Sequence, residues 1–167
     1  MILFASIFCL ATVTQAQLPH LSIYGHALYA SSIDKNSQQL YNGGAGGVAG
    51  ILIGSKNTRF NGSIGYTDFF ADNSNAAGSL SYVPVKAGFR QYIPLTLHFL
   101  YAQADAGVGF LNDQHGDGNS SAFAFDFGAG IKLGVFEGGL VWDFFDNKHS
   151  SGLSSWITIQ AGLNIGF

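Results

Sequence analysis

The sequence predicts an all-β protein, an eight-stranded antiparallel up-and-down transmembrane β-barrel. Apolar and polar residues alternate in segments of roughly ten residues, as they do in strands whose two faces meet different surroundings. The segments between them are long and short in turn, which is typical of barrels in membranes. Only 10% of the residues are charged, against about 25% in soluble domains. From residue 17 onward, no uninterrupted apolar run reaches the ~18 residues that a spanning helix needs.

The first half of the chain predicts four strands, over residues 20 to 30, 46 to 54, 59 to 69 and 82 to 92. In each strand, successive side chains point to opposite faces, so the alternation creates one apolar face that we expect to point outward. The outward set is Leu21, Ile23, Ala27, Tyr29, Ala49, Ile51, Ile53, Phe60, Ile64, Tyr66, Val83, Val85, Ala87 and Phe89.

The second half predicts three further strands and a closing one, over residues 97 to 111, 121 to 133, 138 to 145 and 156 to 167. The closing strand alternates most strictly: its odd positions from Ile157 to Phe167 are apolar, and its even positions after Trp156 are polar or Gly. It is long enough to cross a membrane as a tilted strand. The other outward residues are Leu100, Ala102, Ala104, Ala106, Val108, Phe110, Phe123, Phe125, Phe127, Ala129, Ile131, Leu133, Leu140, Trp142 and Phe144.

The connections form a second pattern that is independent of the strands. Long polar segments alternate with short turns, which predicts outer loops at one end of a barrel and periplasmic turns at the other. Because the number of strands is even, both termini are expected in the periplasm. The long segments are 31–45, 71–80, 112–119 and 146–153, and the short ones are 54–58, 93–96 and 134–137.

The first residues predict export. An apolar run from 2 to 13 precedes Thr14-Gln15-Ala16, whose small residues suit cleavage before Gln17. We therefore expect a signal peptide at 1–16 and a barrel domain at 17–167. The only cysteine, Cys9, lies in the signal peptide, which leaves the mature chain without disulfide or thiolate chemistry. A net charge of −3 gives no footprint for nucleic acid.

Charged residues at inward positions predict the content of the lumen. An unpaired charge there would cost several kcal/mol, so four cations and four anions predict an internal network of ion pairs and hydrogen bonds. We expect the long cationic side chains to cross the lumen beside Tyr24 and Tyr101 and to meet the three aspartates. A proton or ion pathway is the alternative. The eight residues are Arg59, Lys86, Arg90, Asp105, Asp126, Lys132, Glu137 (at a turn) and Asp143.

Three segments carry a resemblance to a known family. They are the strand Val83-Pro-Val-Lys-Ala-Gly-Phe-Arg-Gln-Tyr-Ile-Pro94, the strand segment Ala106-Gly-Val-Gly109, and the closing strand that ends on Phe167. From about residue 18 to 167 the chain resembles the small eight-stranded outer-membrane barrels, the OmpA-like and OmpX-like group of outer membrane protein beta-barrel domains. The resemblance implies the outer membrane of a Gram-negative bacterium and contact with its lipid and lipopolysaccharide. It also implies that the barrel-assembly machinery reads Leu163, Ile165 and Phe167.

Members of this family perform different tasks, so the fold alone does not imply a function. The sequence favours a non-catalytic protein, with no cofactor or metal, that is structural or recognises an extracellular ligand through its loops. An interior of eight strands is only wide enough for side chains, so we expect no general porin activity. A narrow ion-conducting barrel remains an alternative.

A lipid-modifying enzyme of the outer leaflet is the rival hypothesis. His149 and Ser151 resemble the His-x-Ser motif of barrel-type lipid A deacylases. That family also has an acidic residue a little downstream, and residues 152 to 167 contain no Asp or Glu. A base without its orienting group activates a nucleophile poorly.

The loop at 112–119 offers oxygen ligands at alternate positions, as calcium sites do. It lacks the bidentate glutamate that such sites use, so the sequence favours a solvated hairpin loop over a metal site. The residues concerned are Asp113, His115, Asp117 and Asn119.

Overall fold

The computed structural model describes residues 19–33, 41–71, 80–95, 99–113, 119–147 and 152–167. The expected signal peptide at 1–16 lies outside these ranges, as do parts of the four long loops. Within them, no helix is long and apolar enough to cross a membrane.

Eight strands close into one barrel in which each strand pairs with its sequence neighbours and β8 pairs with β1. All eight pairings are antiparallel. The predicted fold class is therefore confirmed. The strands are β1 (His20–Ser32), β2 (Tyr41–Gly54), β3 (Thr58–Ala71), β4 (Leu80–Pro94), β5 (Phe99–Asp113), β6 (Asn119–Leu133), β7 (Phe136–Asn147) and β8 (Gly152–Gly166).

Most predicted strand ends differ from the structure by one or two residues, and β8 begins four residues earlier than predicted, at Gly152 and not at 156. For β2 and β7 the reason can be identified. β2 begins at Tyr41 and not at 46, because glycines at 43, 44, 46 and 47 carry no side chains from which alternation can be read. β7 begins at Phe136 and not at 138. The hairpin before it needs only Gly134 and Val135, since Leu133 pairs with Phe136 and Gly134 takes a φ of 63°, a conformation that glycine adopts without strain.

The outside of the barrel is an apolar band with polar edges. We call the end of the barrel that carries the short turns the turn end. There, Thr58 Oγ1 donates a hydrogen bond of 2.6 Å to Gln91 Oε1. We call the opposite end the loop end. There, Ser81 Oγ donates a hydrogen bond of 3.2 Å to Asp68 Oδ1. Between these pairs the outward positions of β3 and β4 hold apolar side chains and one glycine, Gly62. A soluble barrel would have the opposite arrangement, with its apolar side chains inside.

The strands are strongly staggered around the barrel. The register leads from Tyr24 in β1 through each neighbour in turn to Ser154 in β8. Tyr24 itself, however, pairs across the closing seam with Asn164, ten residues further along β8. Such a shift is the geometric consequence of tilted strands. It decides which inward side chains share a level of the lumen.

Two apolar clusters lie inside the lumen, one towards each end. The cluster at the turn end contains Tyr24, Leu52, Tyr92 and Tyr101. The sequence pattern predicted that Tyr24 and Tyr101 point inward, and they do. It did not predict the larger cluster at the loop end. That cluster consists of Ala30, Phe69, Leu80, Tyr82, Leu111, Ala122, Ala124, Phe145 and Trp156.

Candidate functional site

Polar side chains fill the lumen between these two apolar clusters. The register places three inward carboxylates side by side on β5, β6 and β7, since Asp105 is opposite Asp126 and Asp126 is opposite Asp143. Like charges opposite one another destabilise a sheet. Lys86 of β4 relieves part of this repulsion: its Nζ bonds to Asp126 and lies 2.7 Å from Asp143 Oδ1. Thr158 Oγ1 donates to the other oxygen of Asp143 at 2.9 Å.

Asp105 is held by neutral donors. Asn61 Nδ2 lies 2.9 and 3.0 Å from its two carboxylate oxygens, and Gln103 Nε2 lies 3.3 Å from Oδ2. Asn61 is held in turn by Tyr24, whose hydroxyl donates to Asn61 Oδ1 at 2.9 Å. Among the described residues, no cation lies within ion-pairing distance of Asp105, which is 5% exposed. The predicted meeting of Asp105 with a cationic side chain is therefore absent from this part of the structure.

Arg90 forms the second charged centre, nearer the turn end. Its guanidinium bonds to Glu137 and donates from Nη2 to Gln103 Oε1 at 2.7 Å. It also lies over the rings of Tyr24 and Tyr101, 4.8 and 4.6 Å from their centroids. Glu137 was expected at a turn, but it is the second residue of β7 and points into the lumen.

The two remaining cations, Arg59 and Lys132, meet no carboxylate among the described residues. Arg59 Nη1 donates to Ser22 Oγ at 2.9 Å, and its guanidinium lies 5.0 Å from the centroid of the Tyr92 ring. Lys132 Nζ donates to the backbone oxygen of Asn164 at 3.1 Å.

The stagger therefore separates the predicted charges along the barrel axis. Asp105, Asp126 and Asp143 share the loop-end half with Lys86. The turn-end half holds the other three cations and one anion. That second group is Arg59, Arg90, Lys132 and Glu137.

Inward glycines provide the space for the large lumen side chains. A Cβ on Gly50 would lie 2.5 Å from the ring of Tyr24. One on Gly130 would lie 2.4 Å from the ring of Tyr101. Because real Cβ atoms do not approach rings so closely, each tyrosine ring can lie over the neighbouring strand only where that strand has no side chain. The signal available in the sequence was glycine at the inward positions of alternating strands.

A cavity of about 50 Å³, which we call the chamber, lies in the loop-end half of the lumen. Two aromatic pairs lie at its loop end: Phe69 and Trp156 are tilted with centroids 4.1 Å apart, and Tyr82 and Phe145 are stacked with centroids 5.1 Å apart. Arg90 lies at the other end of the chamber. The chamber walls include Lys86, the three aspartates and Gln160.

Other residues singled out in the sequence lie on the exterior or outside the described ranges. The side chains of Leu163, Ile165 and Phe167 are exposed on the apolar face of the closing strand. His149, Ser151, His115 and Asp117 lie outside the described residues. Among the residues that are described, no group of three or more His, Cys, Asp or Glu side chains is placed to hold a metal ion.

These features define a class of protein: an eight-stranded up-and-down barrel with an apolar exterior and a lumen filled by side chains. Solved structures with a similar fold include Neisserial surface protein A (NspA), with a TM-score of 0.62 at 11% identity over 88% of this chain and 97% of that one. The N-terminal β-barrel domain of Pseudomonas aeruginosa OprF has a TM-score of 0.54 at 14% identity, over 86% and 97% of the two chains. The outer membrane enzyme PagL has a TM-score of 0.51 at 15% identity, over 86% and 98%.

Identities this low show a shared fold and nothing finer. The predicted resemblance to small eight-stranded outer-membrane barrels is thereby confirmed at the level of the fold. No protein-family model and no curated protein sequence matches the chain.

Proposed function

We propose that this chain is an integral protein of the outer membrane of a Gram-negative bacterium, with both mature termini in the periplasm. Its role is structural, or it recognises an extracellular ligand through the segments 31–45, 71–80, 112–119 and 146–153. The observation that carries the proposal is the apolar band bounded by polar residues at both ends of the barrel.

The energetics of the band favour lipid over water as its surroundings. Phe60 remains 63% exposed, and Ile64, Phe89 and Leu140 remain more than half exposed. Removing a side chain of this size from water is worth about 1.5–3 kcal/mol. Apolar surfaces that extend beyond a few hundred Å² mark interaction or membrane sites. Membrane lipid, including lipopolysaccharide in the outer leaflet, is the partner whose chemistry suits such a band.

The arrangement of the lumen supports a closed barrel. The ring pairs of Phe69 with Trp156 and of Tyr82 with Phe145 lie near the loop end. Towards the turn end, Arg90 lies over the ring of Tyr24. A general porin needs a continuous water column, which barrels of about 16–18 strands provide. These layers therefore favour a structural or surface role over solute transport.

Protease shaving tests the topology, because the chain has lysines at both ends of the barrel. Lys35 and Lys148 belong to the long segments, whereas Lys56 belongs to the turn at 54–58. Trypsin added to intact cells should cut after Lys35 and Lys148 and spare Lys56. In permeabilised cells it should also reach Lys56, whose side chain is exposed.

The control is a Lys35→Gln/Lys148→Gln variant, which should resist trypsin on intact cells and be cut only after permeabilisation. Cleavage after Lys56 in intact cells would reverse the proposed orientation. Recovery of the folded protein from the soluble fraction would overturn the membrane location itself.

A lipid-modifying activity remains a sequence-based alternative, because His149 and Ser151 lie outside the described residues. The similarity to an outer membrane enzyme concerns the fold alone. Mass spectrometry of lipid A from cells with and without the protein separates the two hypotheses. An altered acyl pattern that disappears in a Ser151→Ala variant would replace the non-catalytic proposal.

A further inference from the structure

The charge of the chamber is not balanced by the residues around it. Three carboxylates and two cations line it: Lys86 is bonded to Asp126 and Asp143, and Arg90 is bonded to Glu137, which is not among the lining residues. Asp105 has only the neutral amide donors of Asn61 and Gln103. A buried carboxylate without a cation is costly even when amides hydrogen-bond to it. With Arg90 paired to Glu137, the three carboxylates exceed the remaining cation, Lys86, by two charges, and Asp105 is the carboxylate without an ion pair among the described residues.

Polar atoms without partners point to an occupant as well. Three side chains that line the chamber each have a buried polar atom with no hydrogen-bond partner among the described residues: Tyr82 (OH), Trp156 (Nε1) and Gln160 (Nε2). These residues are 4%, 2% and 6% exposed. Buried donors are almost always satisfied by protein or by ordered water. A water molecule can accept hydrogen bonds from the indole and the amide and can donate hydrogen bonds to the carboxylates. It can therefore satisfy both the donors and the acceptors that line the chamber.

The volume limits what can enter. The cavity has a volume of about 50 Å³, which is several times the roughly 10–15 Å³ that one buried water needs. A few waters, or a small ion with part of its hydration shell, therefore fit. A large organic cation does not.

We propose that the chamber binds one small monovalent cation, which neutralises Asp105, together with a few ordered waters. Ser63 and Thr67 also line the cavity, and a hydroxyl is a neutral oxygen ligand of the kind that such an ion prefers. A divalent ion would need several acidic or histidine ligands around one point, and the described residues form no such group. The site lies beside Arg90, whose own charge is paired with Glu137, and it does not depend on where the protein resides in the cell.

Trp156 makes the chamber directly observable. The chain has two tryptophans, and the other, Trp142, lies on the apolar exterior. A Trp142→Phe variant, purified as a folded barrel in detergent, therefore reports fluorescence from the chamber wall alone. Sodium chloride is titrated against choline chloride at constant ionic strength and pH. We expect a saturable change in Trp156 emission with sodium and none with choline, which is too large to enter.

An Asp105→Asn variant in the same background should lose the saturable response. An Asp68→Asn variant, which removes the same charge at the outer edge of the band, should retain it. Folding of each variant is checked by its heat-dependent gel mobility. If Asp105→Asn does not fold, the ²³Na line width is measured in the presence of the chain with Asp105 intact. A line that the protein broadens, and that excess potassium narrows again, supports the site.

Three results would overturn the proposal. The first is an equal emission response to sodium and choline. The second is an unchanged sodium response in folded Asp105→Asn, which would place any bound ion elsewhere. The third is a ²³Na line width that the folded protein leaves unaltered.

Discussion

Replacing Glu137 by glutamine should destabilise the barrel by more than its small change in shape suggests. Arg90 and Glu137 are 1% and 4% exposed, so the substitution leaves a buried guanidinium without its counter-charge. Breaking such a pair costs about 3–5 kcal/mol. One neutral hydrogen bond from the retained amide oxygen returns about 1 kcal/mol. The contacts of Arg90 with Gln103 and the tyrosine rings are unchanged, so the expected loss in the free energy of unfolding is about 2–4 kcal/mol.

Urea unfolding in phospholipid vesicles, followed by tryptophan fluorescence and by gel mobility, measures this loss. An Arg90→Met/Glu137→Gln double variant removes both charges and should be more stable than Glu137→Gln alone. With the Arg90→Met single variant measured as well, the cycle gives the coupling energy of the pair. Asp68→Asn is the surface control and should change stability by at most about 1 kcal/mol. A loss in Glu137→Gln no larger than that of Asp68→Asn would show that the pair is solvated and that the lumen is wetter than the structure indicates.

Three further outcomes follow from the lumen. Gly109→Ala would place a Cβ 2.2 Å from the buried Tyr82 ring and should cost about 1–3 kcal/mol in the same unfolding assay, whereas Gly62→Ala, with no atom within 4 Å, should be neutral. Asp126→Asn and Asp143→Asn should each be tolerated better than the double variant, because the lysine that they share keeps one partner until both are gone; additive losses would contradict the sharing. In planar bilayers the wild-type protein should give at most small, rare conductance steps, and steady porin-like currents would show an open lumen.

The direction of most side chains was predictable because it depends only on local sequence. A strand alternates its faces with a period of two, so Ser22 and Tyr24 inside and Leu21 and Ile23 outside follow from position alone. The same rule failed at the start of β2, where glycines conceal the period.

The partners of the lumen charges were not predictable in this way. Lys86 and Arg90 lie four residues apart on one strand, yet Lys86 meets Asp126 and Asp143 while Arg90 meets Glu137. Which acid faces which base depends on the shift between neighbouring strands, summed around the barrel. No single strand contains that information. The separation of charge along the axis, and with it the chamber, could be recognised only from the register.

The glycines explain why the packing that closes the lumen could not be predicted from one strand at a time. An interior enclosed by eight strands cannot hold a large side chain from every strand at one level. Tyr101 lies over its neighbouring strands at Gly130 of β6 and Gly139 of β7, and a Cβ on either would lie within 2.5 Å of its hydroxyl. Glycine in a strand costs about 0.5–1 kcal/mol relative to alanine, so this packing offsets a local cost with contacts that the tyrosine ring makes inside the lumen. It follows that the barrel is closed by complementary volumes as much as by ion pairs. A single methyl group at an inward glycine should therefore disturb it more than the loss of a charge at the outer edge of the band.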